Sequence, residues 1–165
     1  MLIVTIRVMV VGMPNVGKSS IINKLTKSSK TKTGAKAGVT RQQQWVKVNP
    51  KLDLLDTPGI IPMKQDDQLK AKKLAFVNSV SENAYENESV ALELLKILEN
   101  KYAQKLKEYY NLEAENISLE SIAIKRNWIK KGAEPDIERT AIFILRDFRE
   151  GKMGKFILDD KKQII

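Results

Sequence analysis

Gly12-Met-Pro-Asn-Val-Gly17-Lys18-Ser19 follows the spacing G-x-x-x-x-G-K-S/T, in which each residue type has its own task on a phosphate chain. The glycines let the backbone turn tightly and aim several N–H groups inward as an anion nest. A helix starting at Lys18 would direct the positive end of its dipole at the same point. Lys18 adds a mobile ammonium for β- and γ-phosphate oxygens, and the Ser19 hydroxyl is a hard oxygen ligand suited to Mg2+. The candidate nucleotide contacts therefore run through Asn15, Val16, Gly17, Lys18, Ser19 and Ser20.

Two further motifs share this chemistry. Asp56-Thr57-Pro58-Gly59 would by itself be a plain turn. Downstream of a phosphate loop it reads differently: Asp56 at a strand end can order the Mg2+ shell, and the Gly59 N–H can reach the γ-phosphate. Between them, in a polar stretch from Ser28 to Gln44, lies Gly38-Val39-Thr40. The Thr40 hydroxyl either completes the Mg2+ shell or is simply solvated, since a long loop of this kind is usually functional or disordered. Lys18, Thr40 and Gly59 are the candidate catalytic residues, and Ser19, Thr40 and Asp56 the candidate Mg2+ ligands.

These residues need elements to hold them. Leu2 to Val11 is rich in Ile and Val with little alternation, the pattern of a strand buried on both faces. Lys18 to Ser28 carries Ile21, Ile22 and Leu25 at helical spacing. Gln44–Val48 and Lys51–Leu55 read as strands of a hairpin turned at Asn49-Pro50. After Pro62 the periodicity is helical. One helix is expected over Leu69–Val80 and another through Val90, Leu94, Ile97, Leu98, Tyr102 and Leu106. A third is capped by Ser118 and carries Ile122 and Ile129. In the fourth, Pro135 sits in the first turn, Ile137, Ala141, Ile144, Leu145 and Phe148 form a stripe, and Gly151 ends it. The expected fold is α/β plus all-α: a partial P-loop nucleotide-binding domain at 1–62, a connecting helix at 63–84 and a helical bundle at 85–165.

The 165 residues include no Cys and no His. That excludes disulfides, thiolate or imidazole metal sites, cysteine nucleophiles and His-dependent triads within them. No apolar run reaches the roughly 20 residues of a membrane span, and the apolar start lacks the basic lead and cleavage site of a signal peptide. A cytoplasmic protein without membrane contact is the expectation. The net charge is +9, which points to an anionic partner. The excess is uneven, with ten Lys/Arg against two Asp/Glu in residues 1–60 and nineteen against eighteen beyond. Lys24, Lys27, Lys30, Lys32, Lys36 and Arg41 form either a solvated face or a phosphate-contacting one. Lys125, Arg126, Lys130 and Lys131 flank Trp128, which is either a base-stacking platform or a core anchor with basic neighbours.

Gly12-Met-Pro-Asn-Val-Gly-Lys-Ser-Ser-Ile-Ile-Asn-Lys-Leu, then Lys32-Thr-Gly-Ala-Lys-Ala-Gly-Val-Thr40, then Leu55-Asp-Thr-Pro-Gly-Ile-Ile resemble the YlqF/RbgA family of circularly permuted ribosome-assembly GTPases. The tail agrees: Lys131-Gly-Ala-Glu-Pro-Asp-Ile-Glu-Arg-Thr-Ala141, Ile144-Leu-Arg-Asp and Gly151-Lys-Met-Gly-Lys-Phe156 look like that family's C-terminal domain. The resemblance covers roughly residues 5–158. It implies binding of GTP or GDP with Mg2+, GTP hydrolysis, and work on the large ribosomal subunit with the helical domain touching rRNA. It also matches Asn15 to a P-loop asparagine that coordinates K+ in related GTPases, where the cation supplies the charge of an arginine finger. Ile60 stands where signalling GTPases carry a water-orienting glutamine.

The sequence departs from that pattern in two places. The guanine-selecting Asn-Lys-x-Asp motif, which precedes the P-loop in the permuted family, is absent; Asn23-Lys24-Leu-Thr and Asn100-Lys101-Tyr-Ala are partial matches only. The family's N-terminal histidine is absent too. The expectation is a member lacking its N-terminal segment, whose own residues leave guanine and adenine undistinguished. The alternative is a non-catalytic rRNA- or ribosome-binding fragment with a vestigial nucleotide site. With neighbouring strands missing, one sheet edge should be open and apolar, a route to self-association.

Overall fold

The computed structural model describes residues 4–27, 42–61, 68–113 and 117–158. They form two compact units, Met1–Ser81 and Glu82–Ile165. Among the described residues no helix is long and apolar enough to cross a membrane.

In the first unit, β1 (Ile6–Val10) leads through the glycine-bearing loop into α1 (Lys18–Thr26), and the hairpin β2 (Gln44–Asn49) and β3 (Leu52–Asp56) follows. The sheet order is β1-β3-β2. β1 runs parallel to β3 from Ile6 opposite Leu52 to Val10 opposite Asp56. This register places the loop after Val10 and the turn after Asp56 at the same end of two adjacent strands, where ligand crevices of such sheets form. β2 pairs antiparallel with β3, with an irregularity between Lys47 and Asn49. α1 packs on β2 and β3, burying Ile22 against Val46 and Leu54, with Val10, Val48 and Leu52 around them. Of the three apolar α1 positions in the sequence pattern only Ile22 enters this core; Ile21 and Leu25 stay exposed.

The expectation that the first strand is buried on both faces is corrected. Ile6 is 61% exposed, and Val8 and Met9 are exposed as well. β1 hydrogen-bonds only to β3 among the described strands, and its apolar side chains stay largely exposed. α2 (Gln68–Phe76) also ends earlier than its periodicity implies. Asn78 adopts φ 56, its N–H bonds to Ala75 O at 3.0 Å, and the Ser79 N–H bonds to Leu74 O at 2.8 Å. That pair is a Schellman cap, whose left-handed position Asn tolerates without a glycine.

The second unit is helical: α3 (Asn87–Tyr110), α4 (Leu119–Lys125) and α5 (Ile137–Arg149). α3 buries Val90, Ala91, Leu94, Leu95, Leu98, Leu106 and Tyr110 and is broken at Tyr102 (φ −143, ψ 30). Ser118 caps α4 by accepting from the Ser121 N–H while the Ser121 hydroxyl accepts from the Ser118 N–H. Ile129 is not in that helix; it pairs with Pro135 in an isolated bridge. Pro135 accordingly precedes α5, whose N-cap is Asp136, with Oδ1 accepting from Arg139 N at 3.1 Å. α5 buries Ala141, Ile144 and Leu145, and Gly151 at φ 70 follows its end.

Candidate functional site

The loop between β1 and α1 turns at Asn15, which takes φ 59, and at Gly17, which takes φ 95. The second value belongs to the left-handed region that glycine enters without a Cβ penalty. Gly17 is the N-cap of α1, and its carbonyl accepts the Ile21 N–H at 2.9 Å. Helix formation thus begins at Lys18 with its first amides turned towards the loop. The Lys18 ammonium reaches back across the loop and donates to Met13 O at 2.7 Å, with the side chain largely buried.

The end of β3 meets this loop. Asp56 is fully buried, and the Ser19 hydroxyl donates to its Oδ2 at 2.9 Å. Thr57 Oγ1 donates to Val10 O at 2.7 Å, tying the turn after β3 to the end of β1. The Ile60 N–H donates to Gly12 O at 3.2 Å. A Cβ on Gly59 would lie 2.3 Å from the Pro14 nitrogen, so no other residue permits this approach of turn to loop.

The structure therefore brings together Asn15, Val16, Gly17, Lys18, Ser19, Ser20, Asp56 and Gly59. Val16 and Ser20 are exposed at the loop and helix start. Thr40 lies outside the described residues, as do Lys30, Lys32, Lys36 and Arg41. The Ile60 side chain is 69% exposed.

Ser19 and Asp56 together offer a hydroxyl and a carboxylate, the hard-oxygen donor set that Mg2+ takes. The backbone nest, the Lys18 charge and the α1 N-terminus favour an anion beside it. The residues present thus fit a magnesium-bound polyphosphate.

Two contacts were not legible in the sequence. Ser79, fully buried, donates its hydroxyl to Pro14 O at 2.9 Å, and Asn15 Nδ2 donates to Asn78 O. Their signal, an Asn-Ser pair after an apolar Phe76-Val77, is weak, because Val80 prolongs the helical pattern past them.

A conserved-family model described as a 50S ribosome-binding GTPase matches residues 7–125. The chain belongs to this family. Ribosome biogenesis GTPase A of Bacillus cereus is 40% identical to it over 162 residues, 96% of this chain and 55% of that protein. An uncharacterized GTP-binding protein of Methanocaldococcus jannaschii is 38% identical over 159 residues, 94% of this chain and 42% of that protein. A GDP-bound YlqF structure matches with a TM-score of 0.67 at 29% identity, covering 96% of this chain and 62% of that one. The crystal structure of GNP-bound YlqF from T. maritima matches with a TM-score of 0.59 at 31% identity, covering 90% and 56%. The chain spans about half the length of the curated relatives it matches. The family model thus takes in the small sheet and its helices, and the GDP-bound YlqF structure matches these together with the helical C-terminal part.

In the second unit of this family member, Trp128 is half-buried and its ring centroid lies 4.7 Å from that of Phe143. Arg139 lies over both rings at 5.8 and 5.6 Å, and Arg146 lies over Phe143 at 4.1 Å. Trp128 is thus packed into an aromatic–arginine cluster. Lys125, Arg126, Lys130 and Lys131 are exposed beside it in sequence.

Proposed function

We propose that the chain supplies the phosphate-binding and helical parts of a GTP-hydrolysing ribosome-assembly factor that acts on the large ribosomal subunit. The observation that carries this reading is the Ser19–Asp56 hydrogen bond, which joins the two phosphate motifs at the mouth of the loop holding Lys18. The loop amides of Asn15 to Ser20 and the Lys18 ammonium bind the β- and γ-phosphates of GTP, or the β-phosphate of GDP. Ser19, Asp56 and Thr40 hold Mg2+, which when bound offsets charge on the phosphates. The Gly59 N–H serves the γ-phosphate, and Asn15 takes K+ through its amide oxygen.

Ile60 has no lone pair or N–H in its side chain with which to orient a water. Water positioning therefore falls to backbone groups or to residues beyond those described, and guanine recognition to an Asn-Lys-x-Asp segment placed before the P-loop in a circularly permuted order. rRNA phosphate is met by basic residues, and the site of action is the cytoplasm. The exposed apolar β1 edge permits self-association.

A second reading, a non-catalytic rRNA- or ribosome-binding fragment with a vestigial nucleotide site, is favoured by the exposed basic residues Lys125, Arg126, Lys130 and Lys131 around Trp128. Two measurements separate them. Binding of a fluorescent GTP analogue, abolished by Lys18→Ala and by Ser19→Ala, supports the first; affinity unchanged in both variants removes the site assignment. Binding to large-subunit rRNA that survives Lys18→Ala and falls steeply with salt, in a chain that takes no nucleotide, supports the second.

A further inference from the structure

Ser79 is a fully buried hydroxyl with no part in the phosphate chemistry. A buried hydroxyl must be hydrogen-bonded or it destabilises the fold, and its acceptor is the carbonyl of Pro14, inside the phosphate loop. The preceding residue does the complementary thing: Asn78 O accepts the side-chain amide of Asn15. Both residues sit in the Schellman cap of α2, held there by their own N–H bonds to Ala75 O and Leu74 O. On the other side, Gly59 comes so near Pro14 that a Cβ would lie 2.3 Å from its nitrogen, and the Ile60 N–H holds Gly12 O. The first half of the loop is therefore clamped between the turn after β3 and the end of α2.

The geometry points to Ser79 and Asn78 as positioning residues for the phosphate loop. The α2 cap sets the carbonyl direction of Pro14 and the side-chain orientation of Asn15, and so the direction in which the following amides face. The inference rests on the reading of this loop as a phosphate site. Because coupling is reciprocal, a phosphate ligand that orders the loop also orders the α2 cap.

The experiment is residue-resolved amide hydrogen exchange on the whole chain, with and without GDP, alongside GDP affinity by titration. In Ser79→Ala the amides of residues 12–17 should exchange about tenfold faster, while those of Leu52–Asp56 and of α3 keep their rates. GDP affinity should fall about tenfold, the equivalent of one lost buried hydrogen bond. In the unaltered chain GDP should slow exchange at Asn78 and Ser79. Loop exchange that is unchanged in Ser79→Ala, or that rises equally in every element, overturns the proposal. Faster loop exchange in a chain that binds no GDP upholds the clamp and refutes the phosphate reading instead. Should Ser79→Ala not fold, Asn15→Ala cuts the exposed tether: the Asn78 and Ser79 amides then exchange faster, and unchanged rates there overturn the proposal.

Discussion

At Gly59 a methyl group would lie 2.3 Å from the Pro14 nitrogen and 2.4 Å from its α-carbon. Both are backbone atoms, so Gly59→Ala forces the turn after β3 and the phosphate loop apart rather than displacing a flexible side chain. The expected cost is about 1–3 kcal/mol of first-unit stability, read from a urea transition. Ser19→Ala acts differently. It removes a hydroxyl donor from a buried carboxylate, which costs about 1.5–3 kcal/mol, and it removes the hydroxyl from the Mg2+ donor set. Ser19→Ala should therefore lower the urea midpoint and also abolish any Mg2+ dependence of nucleotide binding. A variant that retained both would show that the Ser19–Asp56 pair is incidental. The motifs themselves were legible because a phosphate loop is a backbone shape that dictates glycine, lysine and hydroxyl at fixed offsets. The Ser79 and Asn15 tethers were not, because a hydroxyl meeting a carbonyl sixty-five positions away leaves no periodic trace.

Among the elements, an end is legible in the sequence where a capping residue marks it. Ser118 caps α4 as its sequence implies, and Gly151 follows α5, donating to Phe148 O at 3.0 Å while Lys152 N donates to Asp147 O at 3.0 Å. The periodicity runs past the end of α2 because its stop is a left-handed Asn rather than a glycine. Ile129 fits the helical pattern of α4 because a residue paired in a bridge carries the same apolarity as one on a helical stripe. The packing of α3 on α5 also makes a pH prediction. Burial, then the Asp147 charge and the neighbouring Tyr109, push the Tyr110 phenol far above its ordinary range. Burial, followed by the Asp147 charge and the hydrogen bond to Asp147 at 3.2 Å, raises Tyr109 as well. A raised folded-state value stabilises the fold fully below the unfolded value near pH 10 and is lost as pH climbs towards the folded one. Helical-unit stability should thus be flat up to about pH 9 and fall above about pH 10, by up to about 1.4 kcal/mol per pH unit for the buried Tyr110, with the more exposed Tyr109 adding less. Denaturant midpoints across that range, followed with tyrosinate absorbance, test it; a flat profile would contradict the burial of the Tyr110 phenol.

For the molecule as a whole, the +9 charge resides mainly in residues 1–60, the same stretch that carries the phosphate motifs and an exposed apolar β1. Charge and apolar edge favour different encounters. Edge pairing should strengthen with salt as like charges are screened, whereas rRNA binding should weaken. Sedimentation velocity at low and high salt should show more dimer at high salt, and Ile6→Lys, a charge on the edge strand, should suppress it; association that weakens with salt would assign it to charge instead. The exposure of β1 was not legible because Ile and Val content reports the environment a strand suits, not whether neighbouring residues cover it. The most direct test of the nucleotide reading is calorimetric titration of the chain with GDP, with and without Mg2+, beside Lys18→Ala. The expected result is saturable binding that strengthens with Mg2+ and disappears in Lys18→Ala. Heats indistinguishable between the chain and Lys18→Ala, or no binding by either, would contradict a phosphate site at this loop.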